Sequence, residues 1–128
     1  MGRYLLDTHT AIWFFNGDSM LSETAKQVIL NSANSKYLSI SSAWELAIKV
    51  GLGKLDFDGK AAGFLSLAEN NGFTMLPIKT AHLTVLELLP LIHRDPFDRL
   101  LIAIALSEQM TLITADKNIT RYNVSHIW

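Results

Sequence analysis

The sequence predicts an α/β fold: a parallel sheet of about five strands with helices on both faces. Three observations lead there. Short apolar runs alternate with longer segments of helical period, the order that builds parallel sheets. The runs are largely apolar, as strands covered on both faces are. One helical segment, Leu100–Leu106, is apolar on every side, which marks a buried helix.

Taken in order, Arg3–Leu6 reads as a buried strand that ends at Asp7, and Ala11–Phe15 as a short helix broken by Asn16-Gly17-Asp18. Ser22 is the expected cap of a helix with Ala25, Val28, Ile29 and Ala33 on one stripe. A second strand is expected at Tyr37–Ile40. The helix after it carries Ala43, Leu46, Ala47 and Val50 at helical spacing and stops at Gly51-Leu52-Gly53. Lys60–Asn70 is a further helix, with Ala61, Phe64, Leu65 and Ala68 on one face and Gly72 beyond its end. Phe73–Leu76 is a third strand stopped by Pro77. Thr80 is the expected cap of a helix reaching Leu88, before Pro90. Asp95 and Pro96 then open the most apolar helix, as cap and first helical residue. Thr111–Thr114 is a fourth strand, and Val124–Trp128 contains a fifth.

Residues 1–128 read as one domain, with 49% hydrophobic and 18% charged residues and no internal repeat. The absence of cysteine excludes disulfides and thiolate metal sites. No apolar run approaches the ~18 residues of a membrane span, and the amino-terminal residues lead into a strand instead of a signal peptide, so a cytoplasmic protein is expected. A net charge of −1 argues against a broad basic nucleic-acid footprint but leaves room for a local one.

The chemistry rests on four acids. Asp7 and Asp116 each follow a strand, where α/β sheets bind ligands. Glu45 and Asp98 are each expected in the first turn of a helix, and helix starts can share the rim of the sheet with strand ends. Each acid also has a purely structural reading. Asp7 can cap the next helix, and Asp116 can be a turn residue. Glu45 can close a capping box with Ser42 and pair with Lys49 four residues on. Asp98 gains about 0.3–1 kcal/mol from the helix dipole, but so would any acid in that turn, which does not explain an acid at the mouth of so apolar a helix. Asp95 is a cap or a helper of Asp98.

Four segments carry a family resemblance: Tyr4-Leu5-Leu6-Asp7-Thr8-His9, Ser41-Ser42-Ala43-Trp44-Glu45-Leu46-Ala47-Ile48-Lys49, His93-Arg94-Asp95-Pro96-Phe97-Asp98-Arg99-Leu100-Leu101-Ile102-Ala103 and Leu112-Ile113-Thr114-Ala115-Asp116. In them the chain resembles PIN-domain ribonucleases, above all the VapC-type toxins of toxin–antitoxin pairs. The resemblance implies a PIN-like three-layer α/β/α sandwich and a metal-dependent endoribonuclease. It places the metal-holding, catalytic acids at Asp7, Glu45, Asp98 and Asp116, with Thr8 and Thr114 as supporting hydroxyls. It further implies an RNA substrate, a cognate antitoxin that covers a hydrophobic groove, and a homodimer.

Four hard oxygen ligands without cysteine suit Mg2+ or Mn2+ better than zinc. Lys49, Arg94 and Arg99 adjoin the acids and are candidate RNA contacts, as Lys54, Lys117 and Arg121 are at greater distance, although a solvated or ion-paired role fits each. His9 and His93 lie beside the motifs, with a structural hydrogen bond as their plainer use. Trp13, Phe14, Phe15 and Trp44 serve base stacking, a partner helix or the core. A phosphotransfer enzyme with Asp7 as nucleophile, a catalytically inactive binding module of the same fold, and a DNA nuclease are the competing readings. The first lacks the further acid its motifs need, since His9 stands two residues after Asp7.

Overall fold

The computed structural model describes residues 2–128. Five strands form one all-parallel sheet: β1 (Arg3–Leu6), β2 (Ser35–Ser39), β3 (Thr74–Leu76), β4 (Thr111–Ile113) and β5 (His126–Ile127), in the spatial order β3-β2-β1-β4-β5. Seven helices connect or flank them: α1 (Thr8–Asn16), α2 (Glu23–Leu30), α3 (Ile40–Gly51), α4 (Lys60–Asn70), α5 (Thr80–Leu88), α6 (Pro96–Glu108) and α7 (Lys117–Thr120).

The central strand shows why the sheet is covered twice. Neighbouring side chains of a strand point to opposite faces. Leu5 accordingly packs with Leu101, Ile102, Ile104 and Leu112, and Leu6 with Ala11, Ile29, Leu46, Phe64 and Ile113. Both leucines are fully buried. Helices α1 to α4 supply the second cluster and α5 to α7 the first, which gives the three layers the sequence predicts.

The chain builds outward from β1 through β2 to β3, then returns to place β4 on the other side of β1. The connections therefore diverge between β1 and β4, and a crevice opens beyond the carboxyl ends of strands at such a point. Leu6 pairs with Ile113 at the end of that ladder, so Asp7 and Thr114 emerge side by side.

Several local expectations are corrected. Ile40 begins α3 instead of ending a strand, because the buried Ser39 hydroxyl accepts the Ser41 N–H at 3.1 Å and caps the helix. Ser42 is therefore already inside α3, no Ser42–Glu45 capping box forms, and Glu45 falls in the second turn. The cap of α5 is Lys79, with Thr80 the first helical residue. There the fully buried His82, to which the sequence assigns no use, accepts the Lys79 N–H through Nδ1 at 3.1 Å and meets Glu108 through Nε2 at 2.7 Å. Helix α2 ends before Ala33, which lies in a turn stabilised by the Asn31 side chain. Leu106, expected to be buried with its neighbours, is exposed at the end of α6. Asp116 is no simple turn residue: it caps the short helix α7, which is too brief to show a period in sequence.

Candidate active site

Asp7, Glu45, Asp98 and Asp116, with Thr8, His9, Trp13 and Ala115, line a single cavity of about 310 Å³ at the carboxyl edge of the sheet. Asp7 and Asp116 cap helices while Glu45 and Asp98 stand inside them, and none was required by its neighbours in sequence to face the others.

Asp7 caps α1: Oδ1 accepts the Thr10 N–H at 2.8 Å. Its Oδ2 accepts the Thr114 hydroxyl, which in turn accepts the Asp116 N–H at 3.0 Å. Burial raises the carboxyl of Asp7 above the ordinary range, opposed by the hydrogen bonds from Thr10 and Thr114. Asp116 caps α7 by accepting the Asn118 N–H at 2.9 Å through Oδ1. The capping and the site-lining readings of these two residues are both realised, since a cap engages one oxygen of two.

Glu45 is only 4% exposed, and both its oxygens are engaged. Oε1 accepts the Thr8 hydroxyl at 2.7 Å, and Oε2 accepts Lys49 Nζ at 2.7 Å. Thr8 has one hydroxyl proton, committed to the carboxylate, so the Ser42 hydroxyl 3.0 Å away donates to Thr8. Lys49, a candidate RNA contact from its position in sequence, is here the counterion of Glu45.

Asp98 sits three residues into α6. Asp95 caps that helix as expected, its Oδ1 accepting the N–H groups of Phe97 at 2.8 Å and Asp98 at 3.3 Å. His93 Nε2 lies 2.9 Å from Asp98 Oδ2, a structural hydrogen bond. Burial first, then the charge of Asp95, push the Asp98 carboxyl up to about 6; Asp116 and Glu45 add to the rise, and the His93 bond opposes it. Like charge felt from both sides of the cavity is the electrostatic sign of convergence.

The acids do not close into one tight ligand set. Among the described residues the group that offers three ligand atoms all within 4.8 Å of one another is His93, Asp95 and Asp98. Asp7, Glu45 and Asp116 line the same cavity as Asp98 without joining that close group. A cavity lined by four carboxylates suits a hard divalent ion that keeps part of its water shell, as Mg2+ does.

Arg94 is exposed beside the motif. Arg99 is committed elsewhere: its Nη1 donates to the Pro90 carbonyl and to the Tyr122 hydroxyl, both at 3.0 Å. Trp13 meets His9 at a tilt and Trp128 edge to face, while Phe14 and Phe15 pack against Phe73 in the core. Trp44 is 56% exposed and rests edge-on against Phe97, 5.1 Å between centroids. The roles of Ser42 and Tyr122 were not legible in sequence. A hydroxyl that supports an acid through space leaves no spacing to find.

The fold and the cavity define a class: an α/β protein with a carboxylate-lined site at the switch point of a parallel sheet. The chain belongs to the PIN domain family, whose model matches residues 4–124. No curated protein sequence matches the chain. Among solved structures it is similar to a chain of VapBC2 from Rickettsia felis bound to a DNA fragment from its promoter, with a TM-score of 0.73, 16% identity and 98% of each chain covered. It is also similar to a chain of the DNA-bound VapBC of Salmonella typhimurium (TM-score 0.68, 18% identity, 100% and 98% covered). A toxin–antitoxin complex from Klebsiella pneumoniae is a third (TM-score 0.67, 16% identity, 98% and 96% covered). At these identities the likeness is one of fold. No helix among the described residues is long and apolar enough to cross a membrane.

Proposed function

We propose that this chain is the toxin of a toxin–antitoxin pair, a cytoplasmic metal-dependent endoribonuclease acting as one domain over residues 1–128 and as a homodimer. The observation that carries the reading is the meeting of Asp7, Glu45, Asp98 and Asp116 on one cavity at the switch point. Membership of the PIN family and the toxin–antitoxin complexes among the structural relatives support it.

Asp7, Glu45, Asp98 and Asp116 would hold Mg2+ or Mn2+, directly or through water. A bound divalent ion supplies Lewis acidity toward phosphate oxygens and lowers the pKa of water. The protein's part is to keep the carboxylates aimed and the cavity shaped. Thr114 holds Asp7, Thr8 and Lys49 hold the two oxygens of Glu45, and His93 holds Asp98. One carboxylate orients the water that attacks phosphorus; the phosphorus–oxygen bond to the leaving nucleotide breaks, and that oxygen takes up the proton the water gives up. Of the three cations that adjoin the acids in sequence, Arg94 is the exposed one open to the RNA backbone, and Trp13 and Trp44 offer ring faces to bases. A cognate antitoxin is the partner that keeps the site silent.

Cleavage mapping on total cellular RNA tests this. The wild-type protein with Mg2+ gives discrete cuts, and Asp7→Asn and Asp98→Asn give none while retaining circular dichroism. Cleavage that survives EDTA, or equal cleavage by the variants, overturns the reading.

A further inference from the structure

The connection between α5 and α6, which carries His93, is held by two side chains that the proposed chemistry does not use. Tyr122 is buried among Leu5, Ile104 and Ile119, yet its hydroxyl reaches the backbone of this connection. It accepts the N–H groups of Ile92 at 3.2 Å and His93 at 3.0 Å, and lies 3.4 Å from the His93 carbonyl. Arg99 completes the clamp. Its Nη1 has two protons, one directed to the Tyr122 hydroxyl and one to the Pro90 carbonyl. Pro90, Ile92 and His93 are thus fixed through their main chain, and the His93 ring at the end of this clamp meets Asp98.

We infer that Tyr122 is a positioning residue for Asp98, acting through the backbone at Ile92 and His93 and then through the His93 imidazole, with Arg99 as the brace of the phenol. This rests on the proposed role of Asp98 in holding metal. It gives Arg99 a task inside the fold in place of contact with RNA. The geometry is specific: Tyr122 stands 29 residues from His93 in sequence, and the backbone contacts at Ile92 and His93 involve the one atom that phenylalanine lacks.

Tyr122→Phe keeps the ring in the core and removes only the oxygen. In 15N-labelled, metal-free protein the His93 amide should exchange about 5–10-fold faster, a change of the size of one lost hydrogen bond, while Ile92, whose N–H also reaches the Pro90 carbonyl at 3.0 Å, should change less. The protected His93 Nε2–H resonance expected from its bond to Asp98 should broaden or vanish. Mn2+ affinity, measured by calorimetry, should weaken by a similar factor, and Tyr122→Phe should have no further effect on it in a His93→Ala background. A purely structural tyrosine would lower the unfolding midpoint while leaving the imidazole signal and the Mn2+ affinity unchanged, and that result overturns the inference. If the wild-type protein binds no Mn2+, the metal reading fails, and the exchange and imidazole signals still decide whether Tyr122 positions His93 against Asp98.

Discussion

The Thr114 hydroxyl donates to Asp7 and accepts from the Asp116 main chain, so one side chain couples the two acids that leave adjacent strands. Because β1 and β4 are neighbours, the bond spans 107 residues of sequence. Its loss would leave a buried carboxylate short of a donor, a cost of about 1–3 kcal/mol. Thr114→Val is expected to lower stability in urea by this amount and to depress RNA cleavage. Thr114→Ser, which keeps the hydroxyl, should restore most of both. Equal loss in the two variants would place the effect in the methyl group.

Asp98 gives a pH dependence whose sign follows from its raised carboxyl. The folded value of about 6 lies above the ordinary 3.8, so between these limits the native state binds the extra proton. Stability of the metal-free protein therefore falls as pH rises through this window, and the penalty is complete above about pH 6. Asp98→Asn removes it. The variant should be more stable than wild type at pH 8 in EDTA by about 1–3 kcal/mol, and the difference should fade toward pH 4. Thermal melts at the two pH values check this.

The same burial and crowding of carboxylates makes metal stabilising. Ligation requires ionised carboxylates, so added Mn2+ competes with protons at Asp98. At about 100 times the dissociation constant, Mn2+ should add about 2.7 kcal/mol of stability near neutral pH. The gain should shrink markedly at pH 5 and vanish in Asp98→Asn combined with Asp7→Asn. Melting curves over a Mn2+ series at both pH values measure it.

Lys49 and Glu45 are unequal partners. Glu45 is buried while the Lys49 side chain is 36% exposed, so removing the lysine leaves an uncompensated carboxylate. Lys49→Met should destabilise the metal-free protein by about 1–3 kcal/mol, more than Glu45→Gln does, since the amide still accepts from Thr8. Urea midpoints of the two variants give the comparison. A larger loss in Glu45→Gln would show that the pair is not what balances this charge.

The sequence by itself determined the periodicities, and these determined the layers. The apolar pairs Leu5-Leu6 and Leu112-Ile113 demand cover on both faces, and the apolar run of α6 demands burial. Asp95-Pro96 announces the start of that helix because its geometry is local. Caps that depend on packing fall elsewhere for the complementary reason: Ser39 and Lys79, not Ser42 and Thr80, begin their helices, where the sheet and His82 put them. The four acids could be named one at a time, but only the strand order, with β1 between β2 and β4, brings them to one cavity. The pairing of Lys49 with Glu45 is local and legible in the helical spacing, but tertiary structure alone decided the fate of Arg99. It looks as available as Arg94 along the chain, and what separates the two is the Tyr122 hydroxyl and the Pro90 carbonyl that folding sets beside Arg99.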